Sequence, residues 1–467
     1  MKVRVVADAP AGAFITVRLV FKDQRSELVP PPTKGEFSGA VGTLLADRSA
    51  ATLYVGLGER SKLDAAAVRR ALGSAALALR KRSQTYVLLQ LEELPQFVSA
   101  AVEGVVLGGY RYEAFLPKKT APLAELVVVQ AKADVAGAKK AAARGQSLGE
   151  AVNAAREIAN TPGNLLYPET LAAAAAALAK KSDLRFRVLD ERALKAGKFG
   201  GILAVGGGSA RGPRLMALEH AGGRKGEAPL VLVGKAITFD TGGISIKPAA
   251  GMEEMIFDKC GGMAVLGAMQ AIAELGLKRN VVGILAAAEN MPSGTAYRPG
   301  DIVTMRSGTT VEIVNTDAEG RMVLGDALAW ACQEYKAAQL IDLATLTGAC
   351  GVALGDSAAG LWSNDDSFRS QVEVAALESG ERLWPMPIFP EHSEQIRSQV
   401  AALKNSGGRL GGACTAAAFL KAFVGETPWA HLDIAYTAHQ SKDAHGLAGG
   451  ATGFGVRTLV RLAANGV

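Results

Sequence analysis

Beyond residue 160 the chain repeats one pattern. Short apolar runs of strand length, at 201–206, 229–234, 281–288, 310–315, 339–343 and 429–434, are separated by helix-type stretches such as 261–276 and 320–335. Strands that alternate with helices at this spacing build a largely parallel sheet covered by helices on both faces. Ligands of such sheets bind in the crevice outside the carboxyl ends of the strands. That rule directs attention to the loops after Val233, Val314 and Leu343.

The earlier part of the chain is also α/β in character. Residues 2–7, 52–57 and 86–91 read as strands, and 64–82 and 96–107 as helices. From 132 to 160 runs a stretch rich in Ala, Lys and Glu with good helix propensity, ended by Thr161-Pro162-Gly163-Asn164. The expected organisation is a smaller N-terminal α/β domain (1–131), a linking helix (132–160) and a larger C-terminal domain (161–467) with a mostly parallel mixed sheet flanked by helices. A length of 467 residues accommodates two or three domains of roughly 150 residues.

Charge and cysteine usage narrow the function classes. The 51 basic and 45 acidic residues leave a formal charge of +6, a mild excess without the Lys/Arg stripes of a nucleic-acid binder. The densest basic run, Arg80-Lys81-Arg82, ends a predicted helix and complements its dipole. Cys260, Cys332, Cys350 and Cys414 are far apart and form no CxxC pair, as expected of thiols in a reducing compartment. The apolar run at the N-terminus breaks at Asp8, too early for a signal-peptide core, and no segment has the ~20 uninterrupted apolar residues of a membrane span. A cytoplasmic enzyme is expected.

Two loops concentrate reactive side chains. The first runs from Val233-Gly-Lys235 through Asp240-Thr-Gly-Gly and Lys247-Pro to Asp258, around a Gly-rich bend that lets backbone approach a ligand closely. The second, Asn315-Thr-Asp317-Ala-Glu319-Gly-Arg321, lies between a β-branched run and an amphipathic helix. If it is extended, Asp317, Glu319 and Arg321 share one face. Acids before helices also serve as caps, and each of these taken singly fits that role. As a set, Asp240, Asp258, Asp317 and Glu319 would repel one another in a dry crevice, and divalent cations resolve that repulsion.

Other chemistries find no support. The five histidines form no HExxH pair, and His431, in the alternating run Trp429-Ala-His-Leu-Asp433, reads as a hydrogen-bonded core histidine. There is no GxSxG nucleophile elbow. Gly206-Gly207-Gly208 lacks the third glycine of a dinucleotide fingerprint, and neither Lys235 nor Lys247 completes a phosphate loop. Metal-assisted hydrolysis remains.

The heptapeptide Asn315-Thr-Asp-Ala-Glu-Gly-Arg321 resembles the signature of the leucyl (cytosol) aminopeptidases. Val233–Pro248, Glu289–Gly294, Tyr297–Asp301, Ala344–Gly348 and Gly449–Gly453 resemble further blocks of that family in the same order, covering most of 160–460. The resemblance implies two divalent metal ions, zinc or manganese. Lys235, Asp240, Asp258 and Glu319 would ligate one and Asp240, Asp317 and Glu319 the other, with Asp240 and Glu319 bridging. Charge logic excludes an ammonium as a metal ligand, so Lys235 must bind neutral. That role rests on the resemblance alone.

The resemblance also implies that Lys247 is catalytic and that Arg321 holds a bicarbonate ion near the attacking water. The metals would lower the pKa of a bridging water, while Lys247 would help to polarise the scissile carbonyl. Thr345, Leu346 and Gly348 would contact substrate backbone, and Met255 would shape the pocket for the first residue. The expected activity is removal of an N-terminal leucine or other apolar residue from peptides, by a homohexamer. Thr241, Met322 and Lys259-Cys260 depart from the common family residues beside the ligands, and none removes a ligand. Two alternatives stay open. One is a two-metal phosphoesterase with Lys247 and Arg321 as phosphate clamps; the other is an added DNA-binding role, which a pI near 9.0 permits.

Overall fold

A computed structural model describes residues 1–23 and 37–465. The chain forms two compact units, Met1–Asn153 with Gln440–Gly450 and Ala154–His439 with Ala451–Val467. The division falls within a long helix rather than at its end, and residues 440–450 belong to the first unit.

The first unit is built on six strands: β1 (Lys2–Val6), β2 (Ile15–Val20), β3 (Leu44–Asp47), β4 (Thr52–Gly56), β5 (Tyr86–Gln90) and β6 (Glu125–Val129). They lie in the order β1-β6-β5-β2-β4-β3, parallel except for β3 against β4. Helices α1 (Ala65–Lys81) and α2 (Val98–Gly108) bury Val68, Leu72, Val102 and Val105 in the core of this unit. Helix α3 (Val135–Asn160) carries the chain into the second unit.

The second unit begins with helices α4 (Pro168–Lys181), α5 (Glu191–Ala196) and α6 (Gly200–Gly206), with strand β7 (Arg185–Leu189) between α4 and α5. Its main sheet adds β8 (Arg214–Ala221), β9 (Leu230–Asp240), β10 (Asn280–Asn290), β13 (Gln339–Ala344), β14 (Ala359–Ser363), β15 (Leu383–Pro385) and β17 (Trp429–Asp433). The order is β15-β14-β17-β13-β9-β10-β8-β7. Its four central strands, β17, β13, β9 and β10, are mutually parallel, and antiparallel strands join on either side. Helices α7 (Cys260–Glu274), α8 (Glu319–Tyr335) and α9 (Gly348–Leu354) follow the loops of interest. The central strands are buried almost end to end, as strands covered on both faces must be.

Two expectations about elements fail. The run 201–206 is helix, not strand, because six apolar residues do not distinguish the two periods and distant partners decide. The Asp326 carboxylate accepts from the Ile202 amide at 3.0 Å, and a side chain at Gly200 would meet the Thr304 carbonyl at 1.9 Å. The run 310–315 is strand only over β12 (Thr310–Glu312), which pairs with β11 (Ile302–Thr304) and β16 (Leu403–Lys404) in a separate small sheet. Asp317 therefore approaches the crevice from beside the main sheet rather than from the end of one of its strands.

His431 is the core histidine expected. It is fully buried, its Nδ1 lies 2.6 Å from Asp342 Oδ1, and Trp429 Nε1 donates to Asp342 Oδ2 at 2.7 Å. Asp342→Asn replaces one acceptor oxygen by an NH2 group and leaves a buried donor without a partner. The expected cost is about 2 kcal/mol, read as a lower urea midpoint with unchanged m; an unchanged midpoint would contradict it.

Candidate metal centre

Strand β13 ends at Ala344, while β9 continues past it to Asp240, level with Asn290 on β10. Lys235 therefore lies in the strand where β13 stops, and Asp240 marks the far end of the strand. The first reactive segment is thus strand as far as Asp240, and loop and 3-10 turn from there to Asp258. The side chain of Lys235 is buried, and its Nζ donates to the Thr345 carbonyl at 2.9 Å and lies 2.8 Å from both Asp258 Oδ1 and Glu319 Oε1. Gly320 makes room for it: a Cβ there would meet Lys235 Cε at 2.8 Å.

A second ammonium gathers the remaining acids. Lys247 Nζ lies 2.8 Å from Asp240 Oδ2 and contacts Asp317 Oδ1. Asp240, Asp317 and Glu319 each offer a carboxylate oxygen within 4.8 Å of the others. Asp240 is oriented by the Gly242 amide at 2.9 Å and by Asn290 Nδ2 at 2.8 Å. Gly242 reaches this position at φ +86°, a conformation that glycine adopts without strain.

Glu319 and Arg321 are not on one extended face. Helix α8 starts at Glu319, and side chains two apart on a helix diverge. Arg321 Nη1 donates to the Asn405 carbonyl at 2.8 Å. The side chain of Asn405 clamps the same segment, accepting from Val314 N at 2.9 Å and donating to the Asn315 carbonyl at 2.6 Å.

Thr345, Leu346 and Gly348 follow β13 directly, and Thr345 Oγ1 donates to Asp258 Oδ1 at 2.7 Å. Met255 is half-buried on a 3-10 turn (Met252–Phe257) that leads straight into Asp258. Asn290, Asn405 and Asp433 were not singled out from the sequence. Asn290 carried a signal, as a polar residue ending a long apolar strand; Asn405 carried none.

The electrostatics favour added cations. Burial opposes the charge on Lys235, but Asp258, Glu319 and Asp240 outweigh it and hold the ammonium above the ordinary lysine range. Lys247 is held up in the same way, chiefly by Asp240. Burial, with Glu319 and Asp240, pushes the Asp317 carboxyl up to about 6. Burial likewise pushes Asp258 up, against the pull of Lys235. The cluster gathers four carboxyl groups around two lysine side chains. Asp258 Oδ2 and Glu319 Oε2 are buried with no hydrogen-bond partner, a costly state for a carboxylate that a divalent cation would relieve. The residues present fit such ions.

Comparison with known proteins places the chain in a family. The model of the cytosol aminopeptidase family catalytic domain matches residues 153–460, and that of its N-terminal domain matches 32–119. The chain belongs to the cytosol aminopeptidase family. Like other cytosol aminopeptidases it is an enzyme, a hydrolase of peptide bonds, which leaves the phosphoesterase reading without support. A "Probable cytosol aminopeptidase" of Syntrophotalea carbinolica is 44% identical over 425 residues, covering 89% of this chain and 85% of its own length. One from Streptomyces avermitilis is 48% identical over 409 residues, covering 86% and 79%. Among solved structures, the bottromycin maturation enzyme BotP in complex with Mn is 33% identical, with a TM-score of 0.88 over 97% of this chain and 99% of BotP. No helix among the described residues is long and apolar enough to cross a membrane.

Proposed function

We propose that this cytosol aminopeptidase is a two-metal enzyme that releases an N-terminal leucine or other apolar residue from peptides in the cytoplasm, working as a homohexamer. The observation that carries the reading is the cluster at Lys235, Asp240, Asp258, Asp317 and Glu319, whose two partnerless carboxylate oxygens are buried. These five residues would hold two divalent ions, with Asp240 and Glu319 shared between them. Zinc and manganese both suit the oxygen-rich set, and the manganese in the BotP structure favours manganese.

Bound there, the ions supply Lewis acidity and a water acidified toward neutral pH. The chain supplies the rest. Lys247 is the more exposed of the two lysines, with 20% of its side chain open, and donates to the carbonyl oxygen as negative charge develops. Arg321 Nε is buried and without a partner, a donor suited to a small anion such as bicarbonate, which would relay the proton. Leu346 and Gly348 would hold the substrate backbone, Met255 would border the pocket for the first side chain, and the second metal or Asp258 would receive the free α-amine. That last contact restricts cleavage to N-terminal residues.

Lys235 can donate a lone pair only after losing its proton, so metal binding displaces protons from the site. Chelation is expected to abolish hydrolysis of leucine amide, and Mn²⁺ or Zn²⁺ to restore it. Calorimetry of Mn²⁺ binding in buffers of different ionisation enthalpy should register proton release. Full activity after exhaustive metal removal would refute the two-metal reading, and binding without proton release would refute the role of Lys235.

A further inference from the structure

The acid at the end of β17, Asp433, is 1% exposed and makes no ion pair with lysine or arginine among the described residues. A buried carboxylate outside ion-pair distance of a cation must be held chiefly by hydrogen bonds. Those of Asp433 all go to its own turn and to the loop after β13. Oδ1 accepts from Leu346 N at 3.1 Å and Ala435 N at 3.2 Å, and Oδ2 accepts from Thr347 Oγ1 at 2.7 Å. Thr347 Oγ1 in turn accepts from Cys350 N at 3.1 Å and caps α9.

The loop held in this way has two outputs. Its first residue, Thr345, donates its hydroxyl to Asp258 and offers its carbonyl to Lys235. Its later residues, Leu346 to Gly348, border the place assigned to substrate backbone. β17 and β13 are paired through Ala344 and Asp433, and Ile434 N donates to the Ala344 carbonyl at 2.8 Å. The carboxylate is thus fixed to the sheet that carries Lys235.

We propose that Asp433 is a positioning residue for peptide hydrolysis, fixing the Thr345–Gly348 loop so that one loop aligns both the metal-binding groups Lys235 and Asp258 and the substrate backbone. It touches neither substrate nor metal and acts through Leu346 and Thr347. The inference rests on the two-metal reading for its connection to catalysis.

Asp433→Ala removes every acceptor at once, whereas Asp433→Asn keeps an oxygen for the amides and offers an NH2 group to a reoriented Thr347 hydroxyl. The alanine variant is expected to raise KM for leucine amide about tenfold and to weaken Mn²⁺ affinity, measured by calorimetry, about tenfold. The asparagine variant should stay within about threefold of the parent in both. A folded alanine variant with parental KM and Mn²⁺ affinity overturns the proposal, as does an asparagine variant no better than alanine. If the alanine variant does not fold, Thr347→Val decides. It severs only the hydroxyl link and should raise KM about threefold, and an unchanged KM overturns the proposal. A parent enzyme with no metal-dependent activity would count against the functional reading instead. The role of Asp433 would then be judged by amide exchange at Leu346, expected to quicken in the alanine variant and to stay near the parental rate in the asparagine variant; parental exchange in the alanine variant would refute the proposal.

Discussion

Glu319→Ala is expected to lower kcat/KM on leucine amide by at least about 10³-fold, or about 4 kcal/mol of transition-state stabilisation. Metal analysis should find fewer than two ions per chain. The size follows from position. Glu319 opens helix α8, is 2% exposed, and is the one acid that both contacts Lys235 and lies within the Asp240–Asp317 group. It therefore links the two halves of the cluster, and truncation removes a donor from each proposed metal position. The fold should survive, since the loss also relieves repulsion from neighbouring carboxylates. Two ions per chain and parental activity in the variant would rule out a bridging Glu319.

Gly261→Ala is expected to cost roughly 3 kcal/mol or more, above the ordinary overpacking penalty, because the clash is with backbone. A Cβ at Gly261 would lie 2.1 Å from the Leu343 carbonyl oxygen and 3.1 Å from Ala344 Cα. A Cβ at Gly234 would likewise lie 2.4 Å from Gly262 Cα, so α7 rests with its backbone directly on β9 and β13. No side-chain rotation relieves such contacts; the helix must lift. Asp258 precedes that helix and Thr345 follows that strand, so activity should fall with stability. Urea unfolding measures the first effect, and an unchanged midpoint would show that α7 can shift without cost.

Much of the site was readable because its chemistry is local. Asp317, Glu319 and Arg321 are near neighbours in sequence, and the glycines after Asp240 mark a bend next to the acid they serve. The signature heptapeptide led to a family that the comparisons then established. Local reading failed where partners are distant. The run 201–206 has a strand-like composition, but its helix is settled by Asp326 and Thr304, more than a hundred residues away. The shared face of Glu319 and Arg321 was lost because the helix begins at Glu319 itself.

The order of residues determined the alternation of strands and helices, the crevice where reactive side chains collect, and the kinds of group found there. Those properties depend on periodicity and residue type, which a linear chain carries. The tertiary structure alone decided that Lys235 stands between Asp258 and Glu319, that Asn405 steadies the Asn315 segment, and that Asp433 holds the loop after β13. Each of these joins strands or loops tens of residues apart: the pairing of β9, β13 and β17 sets Lys235 and Asp433 beside the loop after β13, and the pairing of β12 with β16 sets Asn405 beside the Asn315 segment.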